Sequence, residues 1–340
     1  MAGASELRSV AGALVAENKG ILAADESDPT IKKRFDAIKL ESSETNRRAY
    51  RDMLFTTPGL EDFISGIILF DETIRQSSGD GTPFPDLLAS KGVIPGIKVD
   101  KGAKDLALFP GEKVTEGLDG LRARLEEYVS FGARFTKWRA VITIGDQIPT
   151  HYCIAANAHA LGRYAALSQE AGMVPIVEPE VLMDGDHSIA RCYDATERTL
   201  GALFAELDRA RIDLEGMLLK TNMVLSGKKA SDRAGVEEVA EQTVACLNAT
   251  VPESVPGIVF LSGGQSDEDA TAHLSAMNRL GRHPWELSFS YGRALQAPAL
   301  EAWKGESANI EAGQRALHHR ARLNGAARSG SYTPAMETAA

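Results

Sequence analysis

Apolar residues gather along the chain in eight short, β-rich runs: residues 21–26, 64–72, 94–100, 134–144, 173–181, 217–224, 257–264 and 285–292. Between them apolar residues recur at three- and four-residue steps, as at Leu118, Leu121, Leu125 and Tyr128, or at Val236, Val239, Val244 and Leu247. That is the period of an amphipathic helix. Strands alternating with helices imply parallel βαβ units, and eight such units imply an α/β fold closed into a (β/α)8 TIM barrel. The opening stretch MAGASELRSVAGALVAENKG carries Glu6 and Glu17 without a long apolar core. It reads as an extra amphipathic helix ahead of the barrel, not as a signal peptide. No low-complexity linker breaks the pattern before residue 325, so residues 1–325 read as a single barrel domain. The small, polar stretch 326–340 reads as a flexible tail.

Polar residues interrupt this pattern near the C-terminal ends of the runs. They are Asp25 and Ser27; Asp71 and Glu72; Lys98 and Asp100; Lys137 and Arg139; Glu178 and Glu180; Lys220 and Asn222; Ser262 with Gly263 and Gly264; and Ser290 with Gly292 and Arg293. Active sites of TIM barrels lie at that end of the strands. Residues two apart on a strand face the same way. Lys98/Asp100, Lys137/Arg139, Glu178/Glu180 and Lys220/Asn222 are therefore expected to point inward together.

Composition narrows the partners. The 340 residues are 44% hydrophobic and 25% charged, with a formal net charge of −10, which disfavours nucleic acid and acidic membranes. No apolar run approaches the roughly 18 residues needed to span a membrane. Three cysteines, Cys153, Cys192 and Cys246, lack a metal-type spacing and fit reduced thiols in the cytoplasm. The histidines (His151, His159, His187 and the pair His318-His319 among them) have no zinc-ligand spacing either, so no metal and no cofactor are expected.

The chemistry read from residue types centres on buried amines. Lys220 follows Met217-Leu218-Leu219 and precedes Asn222-Met223-Val224. An ammonium in such a run is costly to desolvate, and losing its proton makes it a nucleophile toward carbonyls. Nearby cations such as Lys137 and Arg139 favour the neutral form. Glu178 suits a proton shuttle, with Asp25 as a second acid/base. Residue types alone leave Lys137 and Lys220 both open as the nucleophile. Two anion sites flank them. Ser262-Gly263-Gly264 leaves one strand and enters a helix near Asp267; Ser290-Tyr291-Gly292-Arg293 leaves the next. Glycines admit an anion close to backbone N–H groups, and arginine adds a fork of donors. Ser27, Thr30, Arg34 and Lys98 form the second candidate set. A reactive lysine between two anion sites suggests a substrate phosphorylated at both ends.

The motifs ILAADES, ILFDET, GIKVDKG, KWR, IVEPE, LLKTNMV, FLSGGQS and FSYGRALQ together closely resemble class I fructose-1,6-bisphosphate aldolases, from about residue 7 to Pro334. The resemblance implies a metal-independent, homotetrameric TIM-barrel lyase of glycolysis and gluconeogenesis. Such an enzyme splits fructose 1,6-bisphosphate into dihydroxyacetone phosphate and glyceraldehyde 3-phosphate. It places the Schiff-base lysine at Lys220, and so chooses between the two lysines. Acid/base carboxylates fall at Asp25, Glu178 and Glu180, and the supporting lysine at Lys137. Phosphate ligands fall at Ser262, Gly263, Gly292 and Arg293 on one side and Ser27, Thr30 and Lys98 on the other, with Arg34 and Arg139 at the mouth; Ser290 joins the substrate-binding set. Two positions depart from the family pattern. Thr221 stands where proline commonly follows the lysine, and the chain ends METAA where many eukaryotic members end in tyrosine, leaving water, Tyr332 or another group to move that proton. Alternative readings are a Schiff-base aldolase preferring another phosphosugar, such as sedoheptulose 1,7-bisphosphate, and a non-catalytic barrel scaffold.

Overall fold

A computed structural model describes residues 3–338. The eight barrel strands are β1 (Gly20–Ala23), β2 (Ile64–Leu69), β3 (Ile94–Lys98), β4 (Phe135–Ile142), β5 (Val174–Val181), β6 (Leu218–Thr221), β7 (Gly257–Phe260) and β8 (Glu286–Tyr291). Each pairs in parallel with its sequence neighbours, and β8 closes on β1 through Ile21 opposite Ser290. Helices fill the connections and form the outer ring. Every expected strand is present, and each is shorter than its apolar run, because most runs continue into the loops that follow.

Alternation sorts side chains into an inner and an outer set. On β4, Thr136 and Trp138 turn outward: the Thr136 hydroxyl lies 2.9 Å from Tyr164 Oη, and the Trp138 ring stacks on Tyr164 at 5.5 Å. Phe135 takes the opposite parity and joins Ile21, Ile68, Val174, Ile176, Leu218 and Val259 in an apolar cluster inside the barrel. Lys137 and Arg139 share the parity of Phe135, Glu178 that of Ile176, and Lys220 that of Leu218. Going up the barrel, one face thus changes from apolar to ionic, which is how these charges come to be buried.

The floor is closed by the N-terminal helix, Ala4–Leu14, which inserts Leu7, Ala11 and Leu14, followed by Val15, into the same cluster. Glycines make the seats. A β-carbon on Gly66 would lie 2.6 Å from Leu14 Cδ2, and one on Gly257 2.6 Å from Val15 Cγ1. Gly96 is tighter still, at 2.2 Å from Phe135 Cζ. Because Phe135 is fully buried, it has nowhere to retreat. Gly96→Ala is expected to destabilise the fold by roughly 1–3 kcal/mol through overpacking. An unchanged denaturant midpoint would show that the ring can move aside.

The C-terminal segment departs from expectation. Helix Ile310–Arg328 runs past the boundary placed at residue 325, and Ala327 within it is fully buried. Beyond it Tyr332 is buried as well, and its hydroxyl donates to Glu337 at 2.8 Å. Arg320 donates to both oxygens of the same carboxylate at 2.7 Å. One aromatic ring and one ion pair thus join the segment to helix Ile310–Arg328. An antiparallel pair of three-residue strands, Ala103–Asp105 with Lys113–Thr115, also went unanticipated. Among the described residues no helix is long and apolar enough to cross a membrane.

Candidate active site

Ionic side chains of the inner face converge on a cavity of 370 Å³ at the C-terminal ends of the strands. Asp25, Ser27, Thr30, Arg34, Lys98, Lys137, Arg139, Glu178, Glu180, Lys220, Ser262, Gly263, Ser290, Gly292 and Arg293 all line it. Register explains part of the convergence: Lys98 lies opposite Lys137, and Arg139 opposite Glu178.

Two buried lysines share the cavity in different settings. Lys137 Nζ sits 3.0 Å from Asp25 Oδ2 and 2.9 Å from Glu178 Oε2. Burial alone would push its pKa down, but Asp25, Glu178 and Asp100 reverse the shift and hold it well above the usual lysine value. Lys220 Nζ meets Glu178 Oε1 at 3.4 Å and has no second ion-pair partner among the described residues. Its side chain is 4% exposed. Burial, aided by the charge on Lys137, outweighs Glu178 and lowers its pKa. Lys137 is therefore the fixed cation, and Lys220 is the amine poised to become neutral. The carboxylates answer in kind. Burial opposes ionisation of Asp25 and Glu178, yet Lys137 first and Lys220 second pull both below the ordinary carboxylate range.

Two polar cradles lie at the rim. On one side Ser290 Oγ is buried without a hydrogen-bond partner among the described residues, Gly263 and Gly264 adopt φ of +57° and +92°, and Ser266 caps helix Asp267–Arg279 through Asp269 N at 3.0 Å. Gln265 ties this loop down, donating to Ser262 O at 3.1 Å and pairing with His273 at 2.6 Å. Burial depresses His273 to about 4, so the brace is neutral at physiological pH. On the other side Ser27 stands at the N-terminal end of helix Asp28–Ala37, its hydroxyl 3.3 Å from Thr30 Oγ1 and not spent on a backbone cap. Lys98 Nζ pairs with Asp100 across the same edge.

Some residues behave otherwise than expected. Asn222 does not turn into the cavity. Its Oδ1 accepts from Val181 N at 2.9 Å and its Nδ2 donates to Thr196 at 3.1 Å, because β6 ends at Thr221 and the strand parity stops there. Asp71 and Glu72 are likewise spent on Tyr128 and on Arg47, away from the cavity. Tyr332, held by Glu337, is absent from the lining. Asp100, expected to face inward with Lys98 but given no role, lines the cavity and accepts from Arg139 N at 3.2 Å; Glu26, a second lining acid, was missed as a site candidate. Glu26 binds Arg51 at 2.7 Å, accepts from Gln296 at 2.8 Å and pairs with Arg34. Glu26 carried no parity signal, since it lies beyond the end of β1.

Comparison with known proteins decides what this cavity belongs to. The family described as glycolytic fructose-bisphosphate aldolase class-I matches residues 6–340. The chain belongs to that family. A Xanthomonas campestris protein described as a probable fructose-bisphosphate aldolase class 1 is 60% identical over 96% of this chain and 98% of its own length. An Arabidopsis thaliana relative, described as fructose-bisphosphate aldolase 6, cytosolic, is 52% identical over 97% of this chain and 92% of its own. The Plasmodium falciparum aldolase, solved in complex with TRAP and a small molecule inhibitor, superposes with a TM-score of 0.95 at 49% identity, covering 97% of this chain and 95% of that one. Class-I fructose-bisphosphate aldolases are metal-independent lyases that act on phosphorylated sugars. Among the described residues no group of three or more His, Cys, Asp or Glu side chains is arranged to hold a metal ion.

Proposed function

We propose that this class-I aldolase cleaves fructose 1,6-bisphosphate reversibly through an imine on Lys220. The observation that carries the reading is the unequal pair of buried lysines, one held between two carboxylates and one facing a single carboxylate with its pKa lowered. Neutral Lys220 attacks the C2 carbonyl, and Glu178, the carboxylate nearest its amine, takes the amine proton. Glu178 returns that proton to the C2 oxyanion, giving the carbinolamine; a second proton, drawn from water through Glu178, lets the C2 hydroxyl leave as water, and a protonated imine remains. Asp25 accepts the C4 hydroxyl proton as the C3–C4 bond breaks; its electron pair flows into the imine, and glyceraldehyde 3-phosphate departs. Protonation of the enamine carbon and attack of water on the imine release dihydroxyacetone phosphate and restore the amine.

Lys137 remains protonated throughout, stabilising Asp25 and Glu178 as carboxylates between transfers. Arg139 pairs with Glu180 and orders the mouth. Ser262, Gly263, Ser290, Gly292 and Arg293 take one phosphate; Ser27, Thr30, Lys98 and Arg34 take the other. The Tyr332 hydroxyl is bound to Glu337 and outside the cavity, so the enamine carbon takes its proton from water or from a group other than Tyr332. A cytoplasmic homotetramer completes the proposal: the Arabidopsis relative is described as cytosolic, and four copies are what the family resemblance implies.

Borohydride trapping is the direct test. Reduction in the presence of dihydroxyacetone phosphate should inactivate the protein and add the mass of the reduced adduct to the peptide bearing Lys220. An adduct on Lys137 in its place, or full activity after treatment, would overturn the assignment.

A further inference from the structure

The loop after β6 carries a cation outside the residues assigned above. A β-carbon on Gly264 would stand 2.5 Å from Lys228 Nζ and 3.3 Å from Arg293 Nη2, so both cations lie over the same glycine of the anion cradle. Lys228 does not reach this place by chance of a long side chain. Its N–H donates to Met183 O at 2.9 Å, Gly227 N to His187 O at 2.8 Å, and Lys229 N to Gly185 O at 2.8 Å. These bonds fasten its backbone to the loop that follows β5. Gly227 is required there, since a β-carbon would come within 2.5 Å of Gly185 O.

The same β5 loop supplies Asp184, whose carboxylate is 3.2 Å from Lys228 Nζ. Both side chains are substantially exposed, at 40% and 66%, so the pair is weakly held by solvent-screened attraction. Arg293 makes no ion pair or side-chain hydrogen bond among the described residues. Two cations over one backbone cradle leave room for a dianion, and a phosphate offers three oxygens where Asp184 offers a weaker exposed contact.

We infer that Lys228 is a substrate-specificity residue: it exchanges Asp184 for a substrate phosphate and closes, with Arg293, over the cradle of Ser262, Gly263 and Gly264. The inference rests on the proposed reading of those loops as a phosphate site. Lys228 touches no reacting carbon, so its effect belongs in KM and not in kcat.

The test uses the full chain and fructose 1,6-bisphosphate, with Arg293→Met as a reference for the cradle itself. Lys228→Met should raise KM about tenfold with kcat within about twofold, and Lys228→Arg should recover most of the loss. Asp184→Asn should lower KM and strengthen competitive inhibition by inorganic phosphate, because the competing carboxylate is gone. If Arg293→Met raises KM while Lys228→Met does not, the inference fails and the cradle stands. If neither raises KM, the cradle reading fails and takes the inference with it. Should Lys228→Met fold poorly, Asp184→Asn decides alone, an unchanged or raised KM overturning the exchange.

Discussion

Lys220→Met should lower kcat for fructose 1,6-bisphosphate cleavage by at least about 10⁴-fold and abolish borohydride trapping. Methionine matches the length of the lysine stem but cannot form an imine, and without the imine no electron sink exists at C2. Both anion cradles are untouched, so bisphosphate binding should survive, measurable as competitive displacement of a reporter ligand. Stability should hold or rise, because the variant removes an ammonium whose desolvation is the largest force on its titration. Lys220→Arg should be equally inactive, since a guanidinium does not deprotonate in proteins. In the unmodified chain, the trapping rate should climb with pH and level off below the range of an ordinary lysine, as the lowered pKa requires. Turnover retained in the methionine variant would move the imine to Lys137.

Glu178→Gln should lower kcat by about 10²–10⁴-fold with a much smaller change in KM. Glutamine keeps the shape but neither accepts nor returns the proton that imine formation moves. The lysines would respond unequally. Lys137 keeps Asp25 at 3.0 Å and stays charged. Lys220 loses the strongest influence raising its pKa, so a larger fraction is neutral while turnover falls. More free amine with less turnover is a pattern that simple unfolding does not produce. Stability supplies a second check. Glu178 has a folded pKa below its unfolded value, so its contribution is present above the unfolded pKa of roughly 4.3 and is lost as pH falls through the folded value. The variant should therefore show a shallower loss of stability on acidification, Asp25 alone of the two supplying the remainder. A parental kcat in Glu178→Gln would reassign the shuttle.

Strand parity made most of the cavity legible. Lys137 with Arg139 and Glu178 with Glu180 could be placed facing inward because β4 and β5 each run eight residues, long enough for a period of two to hold. Where a strand stops early, the rule fails. β6 is four residues, and Asn222, one position past its end, swings to Thr196. Glu26 escaped notice because its partners Arg51 and Gln296 lie 25 and 270 residues away, which no local pattern records. Lys228 was invisible for the same reason: its position depends on a seam between two loops. The contacts of the C-terminal segment, Tyr332 and Arg320 both meeting Glu337, are pairings that composition averages away. The difference between the two lysines was also beyond residue types, since Lys137 and Lys220 are set apart by which carboxylates reach each amine.

The N-terminal helix that floors the barrel has a consequence for how the chain assembles. Leu7, Leu14 and Val15 precede every barrel strand in the chain, yet they share their apolar cluster with Phe135, Val174, Leu218 and Val259. That seat does not exist until the seventh strand is in register, and the glycine at 257 that admits Val15 arrives more than two hundred residues later. On a growing chain this helix must wait with its apolar face uncovered, so a segment made before any strand is among the last to dock. The barrel is sealed from below by a helix that precedes all of its strands, and its apolar interior is complete only when that helix docks.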